Sequence, residues 1–228
     1  MRRRLALAAA ASLLVACGGG STADAQPSAW AVLGSSTAAG VGATPGKGWV
    51  ALLSASAASR GAQVRNFSRS GSVTYHALPA AAARPGARPA TDPAQDIDGV
   101  MLGRPTLVIL AFPSNDAVAG YPATETVANL LAIRQRALDG GAAVWVQSSQ
   151  PRDTATVTQR AAMRDSDAAL AQSLGKCFVN VQSLLADSQG DIAAAYAAGD
   201  GVHLNDAGHA LIFERVTVAL AAGLCTRR

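Results

Sequence analysis

The segment Thr106–Phe112, TLVILAF, carries no charge and no Gly or Pro break. A strand that covers one face of a core alternates apolar and polar residues, whereas a continuous apolar run must be buried on both faces. Such a strand needs a layer above it and a layer below, and the rest of the chain supplies both. Short strand-like runs lie at Trp30–Gly34, Gln63–Phe67, Ala143–Ser149 and Cys177–Val181. Helical composition and length fall between them. Helices are expected over Trp49–Arg60, over Thr124–Asp139 up to the Gly140-Gly141 stop, and over Thr156–Leu174. An Ala-rich helix is expected near Asp191–Ala198, and a final one from Asp206 to Ala222 capped by Asn205. Five strands alternating with helices predict an α/β chain: a three-layer α/β/α sandwich around a five-stranded parallel sheet. The Pro- and Ala-rich stretch Ala77–Asp98 reads as a long loop rather than a second domain.

At 228 residues the chain has length for one sizeable core, and its beginning stands apart from it. Arg2, Arg3 and Arg4 precede a short apolar run from Leu5 to Ala16, too short to span a bilayer and suited to an export signal. The ending Leu14-Val15-Ala16-Cys17 resembles a bacterial lipobox, which makes Cys17 the lipidated residue. An ordinary signal with a chance cysteine is the alternative. The expected organisation is a signal peptide over 1–16, a flexible tether over 17–28 and one folded domain over 29–228. Gly18 after the cysteine fits the outer membrane or cell surface, on its outer or periplasmic side, so the membrane is a partner through a lipid anchor.

Three of the charges behind the formal net charge of +4 are those signal arginines. The remainder is close to neutral with no basic block, which argues against a nucleic-acid partner. With Cys17 set aside, Cys177 and Cys225 form an even pair in an oxidising compartment, either a disulfide pinning the last helix or two separate buried thiols.

Ligands of open α/β sheets bind beyond the carboxyl ends of the strands. Gly34-Ser35-Ser36 follows the first strand and NFSRSGS, Asn66 to Ser72, the second. PSND, Pro113 to Asp116, follows the third, and GDGVHLNDAGH, Gly199 to His209, follows the fifth strand and its helix. Together these supply the parts of acyl transfer. A serine hydroxyl is a weak nucleophile until a base takes its proton. Histidine is the usual base, and a carboxylate on its other nitrogen fixes the tautomer. Backbone N–H groups of Ser36 and Gly71 with the Asn115 amide can meet the developing oxyanion.

On these residues the chain resembles the SGNH (GDSL-type) hydrolases, over nearly the whole domain and with motifs in order. LGSSTAAG at Leu33–Gly40 is similar to the block that carries the serine, NFSRSG at Asn66–Gly71 to the glycine block, PSND to the asparagine block and Asp200–His203 to the Asp-x-x-His block. The resemblance implies a flavodoxin-like fold and a serine esterase. In it Ser36, Asp200 and His203 are catalytic, Ser36, Gly71 and Asn115 form the oxyanion hole, and no metal or cofactor takes part. Two positions depart: Ser35 stands where the family usually has Asp, and Pro113 where it usually has Gly. No Gly-x-Ser-x-Gly elbow is present, since Ala38 fills the last place, which disfavours the α/β-hydrolase fold.

Other polar residues have plainer readings. Asp200, His203, Asp206 and His209 are clustered metal-ligand types, but Asp206 and His209 fall in a helix start where capping explains the carboxylate. Asn66 and Asp116 read as structural, and His76 as a loop or pocket-wall residue. Arg152 either lines the site or is solvated, with solvation the simpler reading. Tyr75, Phe112 and Tyr121 adjoin motifs and are expected to wall a small acyl pocket. Aromatics make up only 4% of the chain, which weighs against a long sugar-stacking groove and towards a short-chain acyl or O-acetyl ester. The alternatives are a lysophospholipase, thioesterase or acyltransferase on the same residues, or a non-catalytic surface binding lipoprotein; a monomer is expected.

Overall fold

The computed structural model describes residues 28–58, 60–112, 114–223 and 225–226. The expected signal peptide, Cys17 and nearly all of the tether lie outside them, as does Pro113; Ser28 belongs to the first strand. In chain order the elements are β1 (Ser28–Gly34), α1 (Ser36–Ala39), α2 (Trp49–Ala58), β2 (Ala62–Asn66), α3 (Ile97–Met101), β3 (Leu107–Ala111), α4 (Asn115–Val118), α5 (Ala123–Asp139), β4 (Ala143–Gln147), α6 (Val157–Leu174), β5 (Phe178–Val179), α7 (Gln182–Leu185) and α8 (Asp206–Ala221).

All five strands pair in parallel, in the order β2-β1-β3-β4-β5. Every residue of β3 and β4 is buried, as the apolar run of Thr106–Phe112 requires. Helix α2 packs on α8, while α5 packs on α3 and α6, which gives the outer layers of the sandwich. The chain leaves β1 for one edge of the sheet, at β2, then crosses to β3 on the other side of β1. The reversal opens a crevice between the carboxyl ends of β1 and β3. Ser36 and Asn115 sit at those two ends.

One expected element is absent. Asp191–Ala198 forms no helix, despite its alanines. Its backbone groups pair across the chain instead: Ala193 N–H donates to Leu185 O, Asn205 N–H to Tyr196 O and Ala198 N–H to His203 O, at 2.8–2.9 Å. Eight residues between Gly190 and Gly199 make too short a helix to stand on propensity alone, and tertiary pairing prevails. The segment thereby becomes the frame of the Asp200–His203 loop. Ala77–Asp98 is an ordered loop up to the start of α3: Gln95 is buried and donates through Nε2 to Gly34 O at 2.6 Å. Cys177 and Cys225 are disulfide-bonded, with Cα atoms 5.5 Å apart.

Candidate active site

The crevice is assembled by ties between segments far apart in sequence. Ser35 N–H donates to Ala111 O at 3.2 Å, closing the end of β1 onto the end of β3. Gly34 permits this approach, because a Cβ there would lie 2.4 Å from Ala111 O and 2.8 Å from Ala38 Cβ. Arg69 N–H donates to Gly34 O at 3.1 Å and Asn115 Nδ2 donates to Ser72 O at 2.9 Å. The β1 turn, the Asn66–Ser72 turn and α4 are therefore bound to one another. Asp116 strengthens the same joint from beneath. Its buried carboxylate accepts from Thr74 N–H at 2.9 Å and from the Thr74 hydroxyl, and burial pushes its pKa up.

Of the two adjacent serines, Ser35 is 1% exposed and Ser36 only half-buried. The reachable hydroxyl is that of Ser36. It stands at the first position of α1, where an N–H has no partner within the helix. Among the described residues the Ser36 and Gly71 N–H groups donate to no protein acceptor. Gly71 takes φ +78°, a left-handed turn conformation that glycine adopts at no steric cost. Asn115 retains its second Nδ2 hydrogen, and its Oδ1 accepts from Arg152 Nη1 at 3.2 Å.

The opposite wall is the loop before α8. His203 Nδ1 lies 2.6 Å from Asp200 Oδ2, while Asp200 Oδ1 accepts from Val202 N–H at 2.9 Å and His203 N–H at 2.7 Å. The His203 backbone N–H, followed by its imidazole, holds the Asp200 carboxyl far below the usual carboxylate range. An ionised carboxylate at Nδ1 keeps the ring proton there and leaves Nε2 as an acceptor.

Two features bring this loop to Ser36. Gly42, at φ +94°, comes so close that a Cβ would lie 2.3 Å from Leu204 O and 2.9 Å from His203 Cβ. Gln150, buried after β4, accepts the Thr37 hydroxyl at Oε1 and donates through Nε2 to Val202 O. Its amide thus joins the residue after Ser36 to the residue before His203. Among the described residues no hydrogen bond joins Ser36 Oγ to His203 itself; such contacts are often long before substrate binds.

Several sequence expectations change here. Tyr75 is 2% exposed, its hydroxyl donates to Glu125 at 2.7 Å, and its ring packs edge-on against Tyr121. Arg88 binds Glu125 through two nitrogens and lies 4.2 Å from the Tyr121 ring centre. Tyr75 and Tyr121 therefore anchor the long loop rather than wall an acyl pocket. Phe112 is buried as well, lining a small internal cavity beneath the site. Arg152 is not simply solvated: it bonds Asn115 and Thr154 Oγ1. Asp206 accepts from Thr44, and His209 lies buried between Trp49 N–H and Val41 O. Asp206 and His209 thus face partners other than the Asp200–His203 pair. Asn66 bonds Ala38 O and Ser68 N–H, and His76 accepts from Val73 N–H in its own turn. Gln150 and Thr37 escaped sequence reasoning; the available signal was a run of polar residues, Gln147 to Gln150, closing an apolar strand.

A model of the GDSL-like lipase/acylhydrolase family matches residues 32–211, a span that includes every segment of this site. No curated protein matches the chain in sequence. Among solved structures it is similar to TesA, at 24% identity and TM-score 0.63, over 85% of this chain and 98% of that one. It is similar to the psychrotrophic esterase EstA of Pseudoalteromonas sp. at 17% identity and TM-score 0.62, over 85% of this chain and 97% of that one. It is also similar to an acetyl xylan esterase, AlAXEase, at 15% identity and TM-score 0.62, over 84% of this chain and 99% of that one.

Proposed function

This chain belongs to the GDSL-like lipase/acylhydrolase family of ester-bond hydrolases, and from that premise we propose that it is a serine esterase working through an acyl-enzyme on Ser36. His203 Nε2 takes the Ser36 proton as Oγ attacks the ester carbonyl, and Asp200 stabilises the imidazolium that results. The oxyanion meets the N–H groups of Ser36 and Gly71 and the free Nδ2 hydrogen of Asn115. The tetrahedral intermediate expels the alcohol, which leaves with the proton from His203. Water, deprotonated by the same nitrogen, then attacks the acyl-enzyme and releases the carboxylic acid.

The observation that carries this reading is the Gln150 tie, which sets the reachable serine and the Asp200–His203 pair on one crevice. A short acyl or O-acetyl group is the favoured substrate, because Tyr75 and Phe112 close into the core and open no aromatic acyl channel. The proposal includes export and a lipid on Cys17; the Cys177–Cys225 disulfide suits an oxidising compartment.

The test compares wild type with Ser36→Ala on p-nitrophenyl esters of increasing chain length. Hydrolysis that falls at least a thousandfold in Ser36→Ala and is fastest on acetyl or butyryl esters is expected. Equal turnover by the two proteins overturns the serine assignment, and a long-chain optimum replaces the short-ester preference with a lipase-like one. A labelled acceptor alcohol distinguishes transfer from hydrolysis.

A further inference from the structure

Beside the crevice lies a pocket of about 80 Å³, lined by Pro151, Arg152, Arg160, Arg164, Gln182 and Gln189 among others. A pocket of that size suits a small group such as a carboxylate or phosphate and not a long acyl chain. Its three guanidinium groups are unequally satisfied. Arg160 is consumed by the frame: it pairs with Asp191 and donates to the carbonyls of Asp153, Ala155 and Gly190. Arg152 and Arg164 have no carboxylate partner among the described residues. The nearby carboxylates are engaged elsewhere, Asp153 by Ile192 N–H and Asp200 by His203 and Val202.

Arg152 connects this pocket to the reaction centre. It is half-buried, spends Nη1 on Asn115 Oδ1 and Nε on Thr154 Oγ1, and makes no other protein hydrogen bond among the described residues. Its desolvation is uncompensated enough to lower its pKa. The nearby Asp200 charge offsets part of that cost, and an anion seated at the remaining nitrogens would offset more of it. The planar guanidinium fork also matches a carboxylate or phosphate in geometry. Polarising Asn115 accounts for one nitrogen of Arg152, and Arg164, an exposed residue of α6, adds a second guanidinium without a carboxylate partner to the pocket lining.

We infer that the ester taken by this site carries a negatively charged group, a carboxylate or a phosphate, seated between Arg152 and Arg164 a short distance from the scissile carbonyl. This inference rests on the esterase reading and adds a substrate class to it. A neutral short ester is hydrolysed without that contact, and an anionic one gains the charge-assisted hydrogen bonds.

The experiment measures kcat/KM at low ionic strength for two matched ester pairs. Mono-p-nitrophenyl succinate against p-nitrophenyl butyrate tests a carboxylate on the acyl side. Acetylglycerol phosphate against monoacetylglycerol tests a phosphate on the alcohol side. Wild type is expected to favour the anionic member of one pair at least tenfold, and the favoured pair says which anion the pocket takes. That ratio should fall with added NaCl and drop to within twofold in Arg152→Gln and in Arg164→Gln. No preference in either pair, or a preference that survives both substitutions, overturns the inference. If wild type hydrolyses none of these esters, the esterase reading fails and calorimetry decides the pocket instead. Saturable binding of inorganic phosphate or succinate to wild type, lost in the double arginine variant, then sustains the pocket, and no binding to wild type removes it.

Discussion

The side chain of Gln150, 1% exposed, accepts the hydroxyl of Thr37 at 2.7 Å from 113 positions along the chain. Its other end donates to Val202 O at 2.8 Å, so one amide sets the spacing between the Ser36 turn and the His203 loop. Gln150→Leu keeps most of the volume and leaves two buried polar groups without partners, at about 1–3 kcal/mol each. The expected protein is folded but less stable in urea, with kcat on p-nitrophenyl acetate lowered by up to about a hundredfold through misplacement alone. Thr37→Val removes one end of the tie and should fall between the two. A folded Gln150→Leu protein with wild-type kcat would show that the tie does not position the site.

The elements that define the sandwich were legible because their signal is burial. The apolar run around β3, and the long helices α5, α6 and α8, start and end within about two residues of expectation. β5 was not so legible, shrinking from Cys177–Val181 to Phe178–Val179. An apolar run reports that a segment is buried, not how many residues its neighbour pairs with. The Asp191–Ala198 error has the same origin, since alanine propensity says nothing of the carbonyls of Leu185 and His203 that its N–H groups reach. At the candidate site, Ser36, Asp200 and His203 could be named through the motif blocks that resemble the family. Gln150 could not, and Arg152 could be named only as lining the site or solvated, because their roles exist only through partners that the fold brings from elsewhere.

Asp167 provides a pH-dependent test of the buried polar layer under the site. Its carboxylate accepts from Ser149 N–H at 2.8 Å and from the Ser149 hydroxyl, yet burial pushes its pKa up to about 6. The folded form therefore holds a proton that the unfolded chain releases near 3.8. Its contribution to stability is greatest on the acid side and is lost as pH rises through about 6. The roughly two-unit shift corresponds to about 3 kcal/mol at pH 8. Asp167→Asn keeps an acceptor for Ser149 N–H and lacks the charge. Denaturant melts should show it stabilised relative to wild type at pH 8, by up to that amount, and by only about a third as much at pH 4.5. An equal difference at both pH values would mean that charge is not the cause.

His209 acts in the opposite direction over a neighbouring interval. The ring is 0% exposed, Nδ1 accepts from Trp49 N–H at 3.3 Å, and Nε2 donates to Val41 O at 3.1 Å, which requires the neutral form. A second proton would face the Trp49 N–H, and burial lowers the pKa below its ordinary 6.5. The unfolded chain then binds more protons below that value, so this contribution is present above about pH 6.5 and is lost as pH falls. His209→Gln removes the titration while keeping a donor and an acceptor. The stability gap between wild type and variant should narrow from pH 7.5 to pH 5. A constant gap would show that His209 does not titrate against the fold.

The Cys177–Cys225 disulfide lies at the end of the sheet away from the chemistry. Cys177 precedes β5, and Cys225 O accepts from Val144 N–H at 2.9 Å near the start of β4, whereas the site gathers at the strands' carboxyl ends. The bond closes a sequence separation of 48, which in the chain-entropy account corresponds to about 4 kcal/mol, with 2–4 kcal/mol typical in practice. For a domain of this size that is a loss of roughly 5–15 °C in Tm. Reduction with dithiothreitol, or Cys177→Ala with Cys225→Ala, should lower Tm by that range while kcat at 20 °C stays within twofold of wild type. Scanning calorimetry and ester hydrolysis on the same samples check both halves. A fall in kcat with unchanged Tm would instead tie the disulfide to the geometry of the crevice.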